Sequence, residues 1–156
     1  SIAEVSIDFN ALKELSHIAR KEYGLGGAVQ HGASTLPDEA FDIFPKVGTL
    51  EVHLATGFQN IIFDSPHFPP ELLARISEHL STHDHHEKKN GETQAQFLYK
   101  TRKRAFGDFK KELWQLPPQS LESIMLELEE RFALIFRKLN ISGTRGLARR
   151  YMSTST

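Results

Sequence analysis

After Asp8 the apolar residues Ala11, Leu12, Leu15, Ile18 and Ala19 recur at helical spacing, and the pattern stops at Tyr23-Gly24. With Asp8 placed to accept the first free backbone N–H groups, residues 9–23 are predicted to form an amphipathic helix. The stretch Gly26-Gly27-Ala28-Val29-Gln30 is short, apolar and bounded by glycine. It reads as a buried strand that delivers His31-Gly32-Ala33-Ser34 at its C-terminal end. Thr35 and Pro37 open a brief second helix, favoured by Asp38 and Glu39 in its first turn and ending near Phe44-Pro45. Gly48 marks a turn, and Leu50-Glu51-Val52-His53-Leu54 forms a second predicted strand that ends in Ala55-Thr56-Gly57. This alternation of helices and strands is the grammar of a parallel sheet.

Further along, Pro66, Pro69 and Pro70 punctuate a turn, after which Leu72, Leu73, Ile76 and Leu80 make one helix face. Residues 82–93 are polar and read as a linker. From Gln94 the pattern is helical: one helix to about Leu116, interrupted by proline at 117 and 118, then a second carrying Leu121, Ile124, Met125, Leu128, Phe132, Ile135, Phe136 and Leu139. Gly107, within the first of these, costs about 1 kcal/mol relative to alanine and demands a packing reason. Arg145, Arg149 and Arg150 lie in a basic tail. The expected layout is therefore βα units over 1–81, a polar linker over 82–93, a helical extension over 94–142 and a basic tail over 143–156. Two strands are few for a parallel sheet, since each keeps an unpaired edge and both faces need cover. Further strands are expected from another chain or from an earlier part of a longer βα protein.

Composition narrows the function. The 156 residues are 39% hydrophobic and 25% charged, near ordinary globular proportions. A formal charge of -1 gives no global attraction to nucleic acid or to an anionic membrane, so any phosphate recognition must be local. Cysteine is absent, which removes disulfides, thiolate metal sites and thiol nucleophiles and suits a reducing compartment. No apolar run approaches the ~20 residues of a membrane span, and the N-terminal residues lack a signal-peptide pattern. A cytoplasmic location is expected, with no nucleic acid or membrane partner. No dinucleotide-binding glycine motif, P-loop or nucleophile elbow is present.

The candidate chemistry lies at the two strand ends. His31-Gly32-Ala33-Ser34 combines an imidazole, a glycine that admits close backbone approach, and a hydroxyl next to a helix start, a combination suited to a metal ligand beside a phosphate cradle. Strand-end histidines also serve simply as hydrogen-bonding residues. His53 and Thr56 follow, His53 twenty-two positions after His31, a spacing consistent with adjacent parallel strands joined by a short helix.

Ala28-Val29-Gln30-His31-Gly32-Ala33-Ser34-Thr35-Leu36-Pro37, followed by Val52-His53-Leu54-Ala55-Thr56, resembles the seventh and eighth strand ends of the class II, zinc-dependent fructose-bisphosphate aldolases and related ketose-bisphosphate enzymes. Ile7-Asp8-Phe9 and Leu12-Lys13-Glu14-Leu15 resemble the helix leading into strand seven. The resemblance is strongest over residues 6–64. It implies an α/β fold: the last two βα units of a (β/α)8 TIM barrel, with a helical C-terminal extension. It also implies that His31 is a ligand of Zn2+ or another divalent ion, that Gly32, Ser34 and Thr56 hold a substrate phosphate, and that His53 stands at a catalytic position. The family usually has asparagine at the position of His53 and aspartate at that of Ala55, so both departures touch the substrate. Arg102 or Arg104 is implied to reach the phosphate of a neighbouring subunit, whereas the residues alone read equally as a solvated helix face. The remaining zinc ligands and the acid/base carboxylate would come from earlier strands; His17 reads as a surface residue of the first helix.

The function implied is cleavage or formation of a ketose bisphosphate, by a lyase whose metal stabilises an enediolate. Its partners would be a sugar bisphosphate or triose phosphate, the remainder of the barrel, and further copies in a homo-oligomer. A non-catalytic assembly module built from an aldolase barrel explains the long helices equally well. His83, His85 and His86 read as a solvated linker, His67 and His79 have no patterned partner, and Phe41, Phe44, Phe58, Phe63 and Phe68 read as core.

Overall fold

The structure, a computed structural model, describes residues 7–152. Helix α1 (Phe9–Tyr23) forms where the periodicity places it: the Asp8 carboxylate accepts the N–H groups of Asn10 and Ala11 at 3.0 Å, and the chain leaves the helix at Gly24. Strand β1 (Val29–Gln30) pairs in parallel with β2 (Glu51–Val52), Val29 opposite Glu51 and Gln30 opposite Val52. Two 3-10 turns (Ala33–Thr35 and Asp38–Asp42) and the short helix α2 (Ile43–Lys46) lie between them. The crossover is thus tighter and less regular than the single helix expected.

The strands are also shorter than the predicted segments 26–30 and 50–54, and less buried. Val29 and Glu51 are exposed while Gln30 and Val52 are half-buried. Each strand has one partner among the described residues, so the ladder is brief and each strand keeps an unpaired edge.

Helices α3 (Thr56–Asp64), α4 (Pro70–His83), α5 (Gln94–Thr101), α6 (Ala105–Asp108), α7 (Lys110–Trp114), α8 (Pro118–Lys138) and α9 (Arg145–Met152) complete the order. The chain is mostly helical with one parallel β pair. No helix among the described residues is long and apolar enough to cross a membrane. The single helix expected from Gln94 to about Leu116 is broken. A 3-10 turn at Arg102–Arg104 and the non-helical Phe109 (φ -111°, ψ 25°) interrupt it. Gly107 has open space where a side chain would be, so its weak propensity is met by a short helix rather than by close packing. The basic tail carries α9.

Two compact units divide the chain differently from the expected layout. One comprises residues 7–58 with 129–152, the other Gln59–Leu128. The core of the first unit gathers Leu12, Leu36, Phe41, Phe44 and Ile135, with Ala33 fully buried at the start of the first 3-10 turn. Arg131 pairs with Asp38 and lies over the Phe41 ring, and Lys138 donates to Asp42 at 2.7 Å, which raises the Lys138 pKa above its ordinary value. The core of the second unit gathers Phe63, Phe68, Ile76, Leu80, Phe97 and Ala105. Residues 82–93 are integrated into it: Asp84 is buried and pairs with Arg104, and Lys100 donates to the Glu87 carbonyl at 3.0 Å.

Candidate functional site

In the first unit, parallel pairing brings the two polar strand ends side by side. The His53 N–H donates to the Gln30 carbonyl at 2.8 Å, continuing the ladder one step beyond β2. That bond sets the His31 and His53 rings next to each other, with centroids 4.3 Å apart and planes tilted by 49°. His31 is exposed and the His53 side chain is 46% exposed, so both imidazoles are open to solvent and to a ligand.

Glu51 is a member of this group that the sequence pattern held but motif spacing passed over. Strand alternation puts residues 51 and 53 on one face, and Glu51 Oε1 lies 2.5 Å from His53 Nε2. A carboxylate only accepts, so Nε2 donates to Glu51 and Nδ1 is the ring nitrogen left outside that bond.

The turn after His31 forms the second half of the site. Gly32 has φ 74°, a left-handed conformation that glycine adopts without strain, and it swings the chain into the Ala33–Thr35 turn. Ser34 is thereby brought to the far strand end, where its hydroxyl accepts the Ala55 N–H at 2.9 Å. The Ser34 O–H proton stays available to an anion. Immediately beyond, α3 begins at Thr56, and helix geometry leaves the N–H groups of Thr56 and Gly57 without partners inside the helix. Gly57 lies against Ser34: a Cβ there would stand 2.8 Å from the Ser34 carbonyl oxygen.

His31, Gly32, Ser34, His53 and Thr56 therefore belong to one locus, joined by Glu51. Arg102 and Arg104 lie in the second unit, where carboxylates already hold them. Arg102 donates to both carboxylate oxygens of Asp64 and to Asn60 Oδ1, between the Phe63 and Tyr99 rings; Arg104 pairs with Asp84 and Glu87. His17 is exposed on α1.

Two touching imidazoles fit part of a histidine-held metal site. Among the described residues, however, no group of three His, Asp or Glu side chains is arranged to hold an ion, whereas a catalytic zinc takes three protein ligands. By itself this locus gathers the Ser34 hydroxyl and the N-terminal N–H groups of α3 beside an incomplete metal-donor set. No protein-family model, curated protein or solved structure matches the chain.

Proposed function

We propose that residues 28–57 form the phosphate-binding side of a class II aldolase-like active site, acting on a ketose bisphosphate or a triose phosphate. The observation that carries this reading is the Ser34–Ala55 hydrogen bond. It joins the turn after β1 to the start of α3 and gathers hydroxyl and backbone donors around one point next to His31 and His53. On this reading the Ser34 hydroxyl, the Gly32 backbone and the N-terminal N–H groups of α3 at Thr56 receive the phosphate oxygens. His53, with Nε2 turned to Glu51, presents Nδ1 to a substrate hydroxyl or carbonyl carbon neighbour and holds or moves a proton there. His31 would contribute one ligand to a divalent ion, and further ligands would have to come from the rest of a (β/α)8 barrel packed against it. A divalent ion held there would supply electrophilic stabilisation of the negative charge that develops on the substrate.

The phosphate role of Arg102 and Arg104 requires their present carboxylate pairs to open, so the reading rests on Gly32, Ser34 and Thr56. A second reading, an assembly module, is favoured by one feature of the first unit. An open apolar cleft of about 470 Å³ lies beside β2, lined among others by Leu50, Val52, Leu54, Phe58, Phe132 and Phe136. The remainder of a barrel packed there would satisfy both readings.

Titration with a triose phosphate, followed by backbone amide NMR, tests the first reading. Shifts centred on residues 32–34 and 55–57, weakened at least tenfold by Ser34→Ala, are expected. Binding that Ser34→Ala leaves untouched overturns the phosphate assignment, and zinc content unchanged by His31→Ala overturns the ligand assignment. Little or no aldol cleavage is expected from this chain alone; robust turnover would show that it holds a full catalytic set.

A further inference from the structure

Charge is unevenly placed in the first unit. Beyond Glu130 the sequence holds six arginines and lysines and no acidic residue, in a chain whose formal charge is only -1. Arg131 and Lys138 are taken up by Asp38 and Asp42. Among the described residues no carboxylate pairs with Arg145, Arg149 or Arg150, all three on α9.

The same helix sorts its apolar residues to one side. Leu147, Ala148, Tyr151 and Met152 fall at the steps of one, four and five that align along a helix, and Arg145, Arg149 and Arg150 occupy the other side. The core of the unit leaves that apolar side uncovered: Leu147 is 57% exposed, Tyr151 70% and Met152 80%, and α9 contributes no buried residue. A helix of eight residues gains little from its own backbone bonds in water, so an external surface is the larger source of stability open to it.

We propose that α9 docks on a membrane surface that carries anionic lipid, its arginines against the charged headgroups and Leu147, Tyr151 and Met152 entering the acyl boundary. Basic charge without acidic counterparts selects a negative surface, and the exposed apolar side selects one with an apolar layer beneath the charge. A nucleic acid backbone would engage the arginines and leave Leu147 and Met152 in water. Tyr151 suits the boundary, with a ring for the apolar layer and a hydroxyl for the headgroups. The association is peripheral, since eight residues fall far short of the ~20 that a span needs. It revises the expectation of no membrane partner, which rested on overall charge, because the attraction is local to α9. One short helix gives weak, reversible binding. This docking is independent of the aldolase-like reading.

The test is co-sedimentation of the full chain with phosphatidylcholine vesicles, with and without about one-third phosphatidylserine. Binding to the anionic vesicles is expected to exceed binding to the neutral ones at least tenfold at low salt. It should be lost at about 1 M NaCl, where the screening length falls to about 3 Å. Arg149→Ala with Arg150→Ala is expected to weaken it more than tenfold, at roughly fivefold per arginine. Leu147→Ser with Met152→Ser keeps every charge and is expected to weaken it at least fivefold. With Trp114→Phe, Tyr151→Trp carries the chain's one tryptophan, whose emission should move to shorter wavelength on anionic vesicles. The α9 positions are exposed, so these variants should unfold in denaturant as the parent does. The proposal is overturned if anionic vesicles bind no better than neutral ones, if binding survives the arginine pair, or if the serine pair leaves it unchanged. Displacement of the chain from anionic vesicles by duplex DNA at equal phosphate would also overturn it, in favour of a nucleic acid site.

Discussion

Gly57 stands so close to Ser34 that a single added carbon would meet the Ser34 carbonyl oxygen at 2.8 Å. This contact joins the start of α3 to the turn after β1, and both sides of it are backbone. Neither can give way as a flexible side chain would. Gly57→Ala is therefore expected to cost about 1–3 kcal/mol in denaturant unfolding, as overpacked sites do. It is also expected to push the Thr56 N–H away from the Ser34 hydroxyl, so triose phosphate shifts at residues 32–34 should fall more than the stability loss explains. An alanine variant of full stability and unchanged shifts would refute the close approach.

Ser34→Ala separates two roles of one hydroxyl. In the free protein it removes the acceptor of the Ala55 N–H, a partly solvated bond worth about 0.5–1.5 kcal/mol. Ser34→Thr keeps the oxygen and is expected to recover most of that stability. If the hydroxyl also donates to a phosphate, the alanine variant loses ligand affinity at matched stability, and a thermal-shift series with and without triose phosphate distinguishes the two losses.

Much of this organisation was legible from pattern. Helix α1 and its Asp8 cap followed from periodicity and one side chain, because both signals are local. The two strand ends followed from glycine and alternation, and His31 with His53 did come together. The rest depended on pairs distant in sequence. The Ser34–Ala55 bond spans twenty-one positions, and nothing in either segment marks the partner. The helix expected from Gln94 is interrupted at Arg102, whose guanidinium is held by Asp64 and Asn60, contacts distant in sequence that periodicity does not carry. Sequence adjacency groups His83 with His85 and His86, whereas the helix stacks it on His79, one turn back.

Glu92 gives a pH signature to the segment 82–93. Its carboxylate accepts the Lys89 backbone N–H at 3.0 Å and the Lys100 ammonium at 3.0 and 3.1 Å, and these bonds hold its pKa below the ordinary glutamate value, the backbone bond foremost. A carboxylate with a depressed folded pKa stabilises the fold above the unfolded value, and that contribution is lost as pH falls through the folded pKa. Glu92→Gln is expected to be less stable than the parent at pH 7. The gap should narrow below about pH 4.5, the ordinary value, and close further down. A gap that persists unchanged into acid would mean that packing, not charge, accounts for it.

Arg102 offers the sharpest contrast between an arm and a clamp. Its side chain is 14% exposed, lies between Phe63 and Tyr99, and donates to Asp64 and Asn60. A clamp of this kind depends on the planar fork, so lysine is a poor replacement even with charge retained. Arg102→Lys is expected to destabilise the chain by about 1.5–3 kcal/mol, the range for hydrogen bonds to charged groups. Asp64→Asn should cost less, since Asp64 is 61% exposed and Asn keeps one acceptor. In the double variant the losses should fail to add, which is the mark of a shared interaction. An arm reserved for a phosphate behaves otherwise: Arg102→Lys would leave denaturant stability within about 0.5 kcal/mol, as surface substitutions do, and would weaken triose phosphate binding instead.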